Sequence, residues 1–131
     1  MRYPVLSLFF LLSLLVSSGC AGAKNLVQLS EEDKDRNVFL QVGDSLEIVL
    51  QGNPTTGYMW NLAPWDRRVL EQVGEYAYKA TSDAMGSGGR YTFSFKAIGS
   101  GKADLKWSYA RPFEKNMPPV KSFEVHCSVS E

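Results

Sequence analysis

The sequence predicts an all-β chain folded as an antiparallel sandwich of about seven or eight short strands. Three observations carry this expectation. From Val38 onward apolar residues alternate with polar ones at period two, the spacing of a strand with one buried face. Turn signals rich in Gly, Pro, Asn and Asp punctuate the chain about every 8–12 residues. After the N-terminal apolar run, no stretch keeps helical periodicity for longer than a turn or two.

Taken in order, residues 1–19 read as a signal peptide. Arg2 supplies the positive start, Val5 to Val16 the apolar run, and Ser17-Ser18-Gly19 the small-residue exit. The run is too short for a spanning helix. Two exits can be read. Cleavage before Cys20 makes a bacterial lipoprotein with Cys20 lipidated, although Ser17 stands where such sites usually have Leu. Cleavage after Ala21-Gly22-Ala23 makes a soluble secreted product. The first is preferred, because Cys20 directly follows the small pair Ser18-Gly19. Both place the protein outside the cytoplasm, in the bacterial cell envelope or secreted. Residues 20–37 are polar, with the mixed charge run Glu31 to Arg36, and read as a solvated tether.

The domain then occupies residues 38–131. Val38, Leu40 and Val42 alternate, and Gly43-Asp44 marks a turn. Leu46, Ile48 and Leu50 form the next strand, followed by a short one from Met59 to Leu62 that Ala63-Pro64-Trp65-Asp66 breaks. Val69 to Ala80 reads as two short strands or one bent strand, with Gly74 at the break. Tyr91, Phe93 and Phe95 alternate, and Gly99-Ser100-Gly101 reads as a hairpin turn into Ala103, Leu105, Trp107 and Tyr109. A three-proline loop, Arg111 to Pro119, precedes a last strand from Phe123 to Val129. The aromatics of these strands are the expected core.

Composition narrows the function. Fourteen basic residues oppose fourteen acidic ones. Without Arg2 the balance is thirteen to fourteen, a net charge of about −1, so no field draws the chain to nucleic acid or an acidic membrane. About 110 residues past the signal make one domain of ordinary size, expected to be monomeric. The single histidine, His126, neighbours Cys127, but adjacent strand residues point to opposite faces, so the two do not form a nucleophile–base pair. Cys127 alternates in phase with Phe123, Val125 and Val129 and reads as a buried apolar residue. No nucleophile elbow, phosphate loop or run of metal ligands is present, so the sequence implies no catalytic residues, no cofactor and no metal. It points to a binding module rather than an enzyme.

Three loops stand out. Asn53-Pro54-Thr55-Thr56-Gly57-Tyr58 combines residues suited to a stiff turn: Asn53 bonds its own backbone, Pro54 fixes φ, and Gly57 admits positive φ. Met85-Gly86-Ser87-Gly88-Gly89 allows close backbone approach. Arg111-Pro112-Phe113 offers an aromatic and a guanidinium on a stiffened loop, residue types enriched at interfaces. In a Greek-key sandwich, alternate connections gather at one end.

These three motifs in this order resemble the chagasin family of cysteine-peptidase inhibitors over about Val38 to Val129. Phe113 departs mildly, standing where many members have Trp. The resemblance implies an immunoglobulin-like sandwich and reversible, tight, non-covalent inhibition of papain-like peptidases. It implies that Asn53, Pro54, Thr55, Thr56, Gly57 and Tyr58 form a central wedge, with Thr55 and Thr56 nearest the catalytic cysteine of the peptidase. Gly86, Gly88 and Gly89 would form one flank, and Arg111, Pro112 and Phe113 the other. The residues alone leave open a second reading, an envelope lipoprotein that serves as an adhesion or assembly module without a peptidase target.

Overall fold

The structure, a computed structural model, describes residues 24–131. The signal peptide and Cys20 lie outside the described residues. Among the described residues nine strands form two sheets: β1 (Leu26–Ser30), β2 (Asn37–Gln41), β3 (Ser45–Gly52), β4 (Met59–Leu62), β5 (Leu70–Gln72), β6 (Ala77–Ala80), β7 (Gly89–Ala97), β8 (Gly101–Ala110) and β9 (Lys121–Ser130). One sheet has the order β1-β3-β7-β5, with β6 pairing farther along β7. The other has the order β2-β9-β8-β4. The only helical turns among the described residues are 3-10 turns at Glu31–Asp33 and Pro54–Thr56.

The alternation read from the sequence becomes the core. Leu46, Ile48 and Leu50 of β3 face Phe95, Phe93 and Tyr91 of β7 at the same register positions. On the other sheet, Leu105 and Trp107 of β8 lie opposite Val125 and Phe123 of β9. Trp107 packs edge-on against Phe93 and Phe95 at centroid distances of 5.4 and 5.9 Å, joining the two sheets. Each enclosed aromatic ring removes about 150–250 Å² from water, the main apolar gain of a sandwich this size. The Trp107 Nε1 hydrogen has no hydrogen-bond partner among the described residues.

Three expectations need correction. Residues 26–37 are not a tether. Leu26–Ser30 runs parallel to β3 in full register, buries Leu29, and has the buried Asp44 carboxylate accepting from the Asn25 amide at 3.1 Å. This is a polar edge strand with a single core residue, and that composition hides it. Second, Gly99-Ser100-Gly101 does not close a hairpin: β7 and β8 lie in different sheets, so the turn crosses the sandwich. Third, the sheets are mixed rather than wholly antiparallel, because β1 runs parallel to β3 and β2 parallel to β9. Long crossovers separate these pairs in sequence, and parallel pairing leaves no short-range signal. Val69 to Ala80 does split in two, with Gly74 at φ 70° between the strands.

Candidate functional site

Register places three loops at one end of the sandwich. Gly52, the last residue of β3, pairs with Gly89, the first of β7. Met59, which opens β4, pairs with Ala110, which closes β8. The loop 53–58 therefore crosses between sheets, with 81–88 on one side of it and 111–120 on the other.

The crossing loop is a turn whose polar groups bond to one another. The Asn53 side chain accepts from the Thr55 amide at 3.1 Å and from its hydroxyl at 2.6 Å. The Asn53 carbonyl accepts from the Thr56 amide at 3.2 Å and hydroxyl at 2.7 Å. Pro54 occupies the first position of the 3-10 turn, where a missing N–H costs nothing. Gly57 ends it at φ 81°, and its amide donates to the Pro54 carbonyl at 3.1 Å. A side chain at Gly57 would also meet the Phe113 ring at 3.1 Å. Pro54, Thr55 and Thr56 project into solvent.

Each flank is tied to this turn. The Asn53 amide of the side chain donates to the Gly86 carbonyl at 2.8 Å, linking turn and glycine loop. A Cβ at Gly88 would stand 3.2 Å from the Gly52 carbonyl, so the glycine lets the two chains approach. On the other side, Arg111 Nε donates to the Thr56 carbonyl at 3.0 Å. Its guanidinium lies 4.3 Å above the Tyr58 ring and pairs with Glu114 at 3.0 Å, a contact that raises its pKa further above the ordinary arginine value. Beneath the turn, the Tyr109 hydroxyl accepts from the Asn53 backbone amide at 2.8 Å, and the Tyr58 and Tyr109 rings stack at 5.4 Å.

The family model for the chagasin family peptidase inhibitor I42 matches residues 40–127. The chain belongs to the chagasin family. Amoebiasin-2 of Entamoeba histolytica is 30% identical over 95 residues, 72% of this chain and 77% of that protein. The crystal structure of the cysteine protease inhibitor EhICP2 from Entamoeba histolytica shares the fold, with a TM-score of 0.74 and 23% identity over 82% of this chain and 98% of that one. PbICP-C, solved in complex with falcipain-2, also has this fold, with a TM-score of 0.54 and 22% identity over 82% of this chain and 91% of that one.

Seen as a chagasin-family chain, the protein brings the twelve residues of the three sequence-predicted loops to one end but gives them different surroundings. Pro54, Thr55, Thr56, Gly86, Pro112 and Phe113 are exposed, and Phe113 is 70% accessible. Gly89 is buried, within 2.6 Å of the Tyr78 ring were it to carry a Cβ, so it lets the loop leave the sheet and offers no surface. Asn53 and Arg111 spend their polar groups on the loops themselves. Sequence reasoning missed Glu114, which anchors Arg111, and the Tyr109 hydroxyl, which lies among core residues. It also missed Lys121, whose ammonium donates to the Gln51 carbonyl at 3.2 Å just before the turn. Glu114 stands only three residues from Arg111, a spacing open to local reading, whereas Tyr109 and Lys121 reach the turn only through the fold.

The arrangement binds and does no chemistry of its own. Both threonine hydroxyls are engaged and carry no adjacent base. Cys127 is 1% accessible, and burial pushes its thiol pKa up to about 12, so no thiolate forms near neutrality. His126 lies on the opposite, solvent-facing side of β9. The family is one of peptidase inhibitors, not enzymes.

Proposed function

We propose that this protein inhibits papain-family cysteine peptidases reversibly and without a covalent bond, by placing residues 53–58 in the active-site cleft between two flanking loops. The observation that carries this reading is the hydrogen-bond-saturated, uncharged turn, tethered on both sides to its neighbours. A preformed loop loses little conformational entropy on docking, so more of its contact energy appears as affinity. Its threonines offer neither a nucleophile nor a charge to be desolvated in a narrow cleft. Phe113 and the methionine at the tip of the glycine loop, Met85, add exposed apolar area on either side. At about 25 cal/mol per Å², such area supports tight binding once it is covered. The complex of PbICP-C with falcipain-2 supports a peptidase of this class as the partner.

The test is a titration of papain with the purified protein, with a serine peptidase as control. Competitive inhibition at nanomolar concentration, full recovery of activity on dilution, and an unmodified inhibitor mass are expected. A folded protein that leaves papain active at micromolar concentration overturns the reading.

Residues 1–19 and Cys20 support export, with a lipid on Cys20 holding the inhibitor at a membrane of the cell envelope. Intact-mass measurement of the membrane fraction tests this. A product beginning at Lys24 in the soluble fraction would replace the lipoprotein with a secreted form.

A further inference from the structure

We propose that Asp104, Glu124 and His126 form a binding site for a divalent transition-metal ion such as Zn²⁺, on the outer face of the sheet β2-β9-β8-β4. The sequence showed no ligand spacing, because Asp104 and His126 stand 22 residues apart. The β8–β9 register makes them direct cross-strand partners, and Glu124 shares the face of β9 with His126. The His126 Nδ1 lies 2.8 Å from an Asp104 oxygen and 3.8 Å from a Glu124 oxygen. All three donor atoms fall within 4.8 Å of one another.

That spacing suits an ion. Donors bound at about 2.0–2.2 Å around a tetrahedral centre sit about 3.3–3.6 Å apart. Changes of up to about 1.5 Å in these separations, shared between rotating side chains, bring the three atoms to such positions. One imidazole nitrogen and two carboxylate oxygens are donors that Zn²⁺ accepts, and three protein ligands leave a fourth position for water. The backbone beneath is firm: β9 is paired on both sides, with β8 and with β2. Lys106, the cross-strand partner of Glu124, competes for its carboxylate at 3.5 Å. Its side chain is 58% accessible and can swing to water when a cation arrives. Cys127 points into the core and contributes nothing. The site lies about 20 Å along β8 from the inhibitory loops, at ~3.3 Å per residue, so it is independent of the proposed function.

The experiment exploits the single histidine of the chain. Tag-free protein is titrated with ZnCl₂ by calorimetry, and the His126 ring resonances are followed by NMR. Saturable binding of one ion per chain is expected, with the His126 ring signals moving. His126→Ala and Asp104→Ala, both surface changes checked for fold by circular dichroism, each weaken binding by at least about 10-fold. Lys106→Ala tightens it, and Mg²⁺ at equal concentration does not compete. Absence of saturable binding at millimolar Zn²⁺ overturns the proposal. So does His126→Ala protein that binds as tightly as the wild type, because a cross-strand ion pair alone predicts both results.

Discussion

Arg111 and Thr56 are joined across the loop cluster: Nε of Arg111 donates to the Thr56 carbonyl at 3.0 Å over a separation of 55 residues. The same guanidinium covers Tyr58 and pairs with Glu114. Arg111 thus holds the tip of the central turn in place from the neighbouring loop. Arg111→Ala removes a charge-assisted hydrogen bond and a cation–π contact that together fix the turn. The inhibition constant against papain is expected to rise about 10-fold with little change in thermal midpoint. Arg111→Lys restores little, because an ammonium cannot serve the carbonyl, the carboxylate and the ring at once. Full recovery with lysine would show that charge alone suffices.

Gly57 sits at φ 81°, in the left-handed region that L side chains enter at a cost of about 1–2 kcal/mol. Its missing Cβ also leaves room for the Phe113 ring. Gly57→Ala therefore strains the turn and displaces the flank together. Inhibition is expected to weaken about 10-fold or more. The double variant with Phe113→Ala loses less than the sum of the two single losses, since the displaced ring is already gone. Strict additivity measured by inhibition constants would deny the contact.

The residues that announced themselves in the sequence did so through local rules. Leu46-Ile48-Leu50 and Tyr91-Phe93-Phe95 alternate, and they lie side by side on the buried face of one sheet. Asn53, Pro54 and Gly57 carry turn chemistry, and each plays its expected part in the turn. What stayed hidden depends on register between distant strands. β1 fully buries only Leu29, with Val27 half-buried on the same face, so its alternation is too short to read. The Gly99-Ser100-Gly101 turn has hairpin composition, yet the apolar faces of β7 and β8 satisfy each other across the sandwich rather than along one sheet. Arg111 beside Phe113 looked like a surface recognition pair, while its bonds to Thr56 and Glu114 turn it inward. Asp104 and His126 meet only because β8 and β9 align them.

Thr56 and Phe113 differ in what a partner would lose. Thr56 is exposed at the tip of the turn, where Thr56→Arg adds a bulky charge to a surface expected to enter a narrow cleft. Phe113→Ala removes contact area, about 100 Å² and hence about 2–3 kcal/mol at most. Thr56→Arg should therefore weaken papain inhibition at least about 10-fold more than Phe113→Ala. Thr56→Val separates the clash from the lost hydroxyl bond to Asn53 and should cost only about 1 kcal/mol. Equal losses for Thr56→Arg and Phe113→Ala would remove the turn from the centre of the interface.

Lys121 braces the strand end that launches the turn. Its ammonium donates to the Gln51 carbonyl at 3.2 Å and reaches Glu31 at 3.4 Å, while Glu31 accepts from the Gln51 amide at 2.7 Å. It also lies about equally near the Trp60 and Tyr109 rings, at 5.2 and 5.0 Å from their centroids. As a partly exposed ion pair the Lys121–Glu31 contact alone contributes about 0–1 kcal/mol. Its effect falls on loop position, so Lys121→Met should weaken inhibition about 5-fold with a nearly unchanged thermal midpoint. Lys121→Arg should recover part of the loss. An unaltered inhibition constant in Lys121→Met would confine the residue to surface charge.

Cys127 links stability to alkaline pH. Burial comes first among the causes that push its thiol up to about 12, against about 8.5 for a thiol in water. For a group raised on folding, the contribution is whole below the unfolded value and disappears as pH climbs toward the folded one. In the window above about 8.5, the unfolded chain sheds this proton while the folded chain retains it. Stability should then fall by up to about 1.4 kcal/mol per pH unit from this group alone. Cys127→Ala lowers stability at every pH, because a packed sulfur is lost beside Val38 and Ala103, but its slope above pH 8.5 should be shallower than that of the wild type. Urea unfolding at a series of pH values compares the two slopes. Parallel slopes would mean that the thiol ionises in the folded chain as readily as in the unfolded one, contrary to its place in the core.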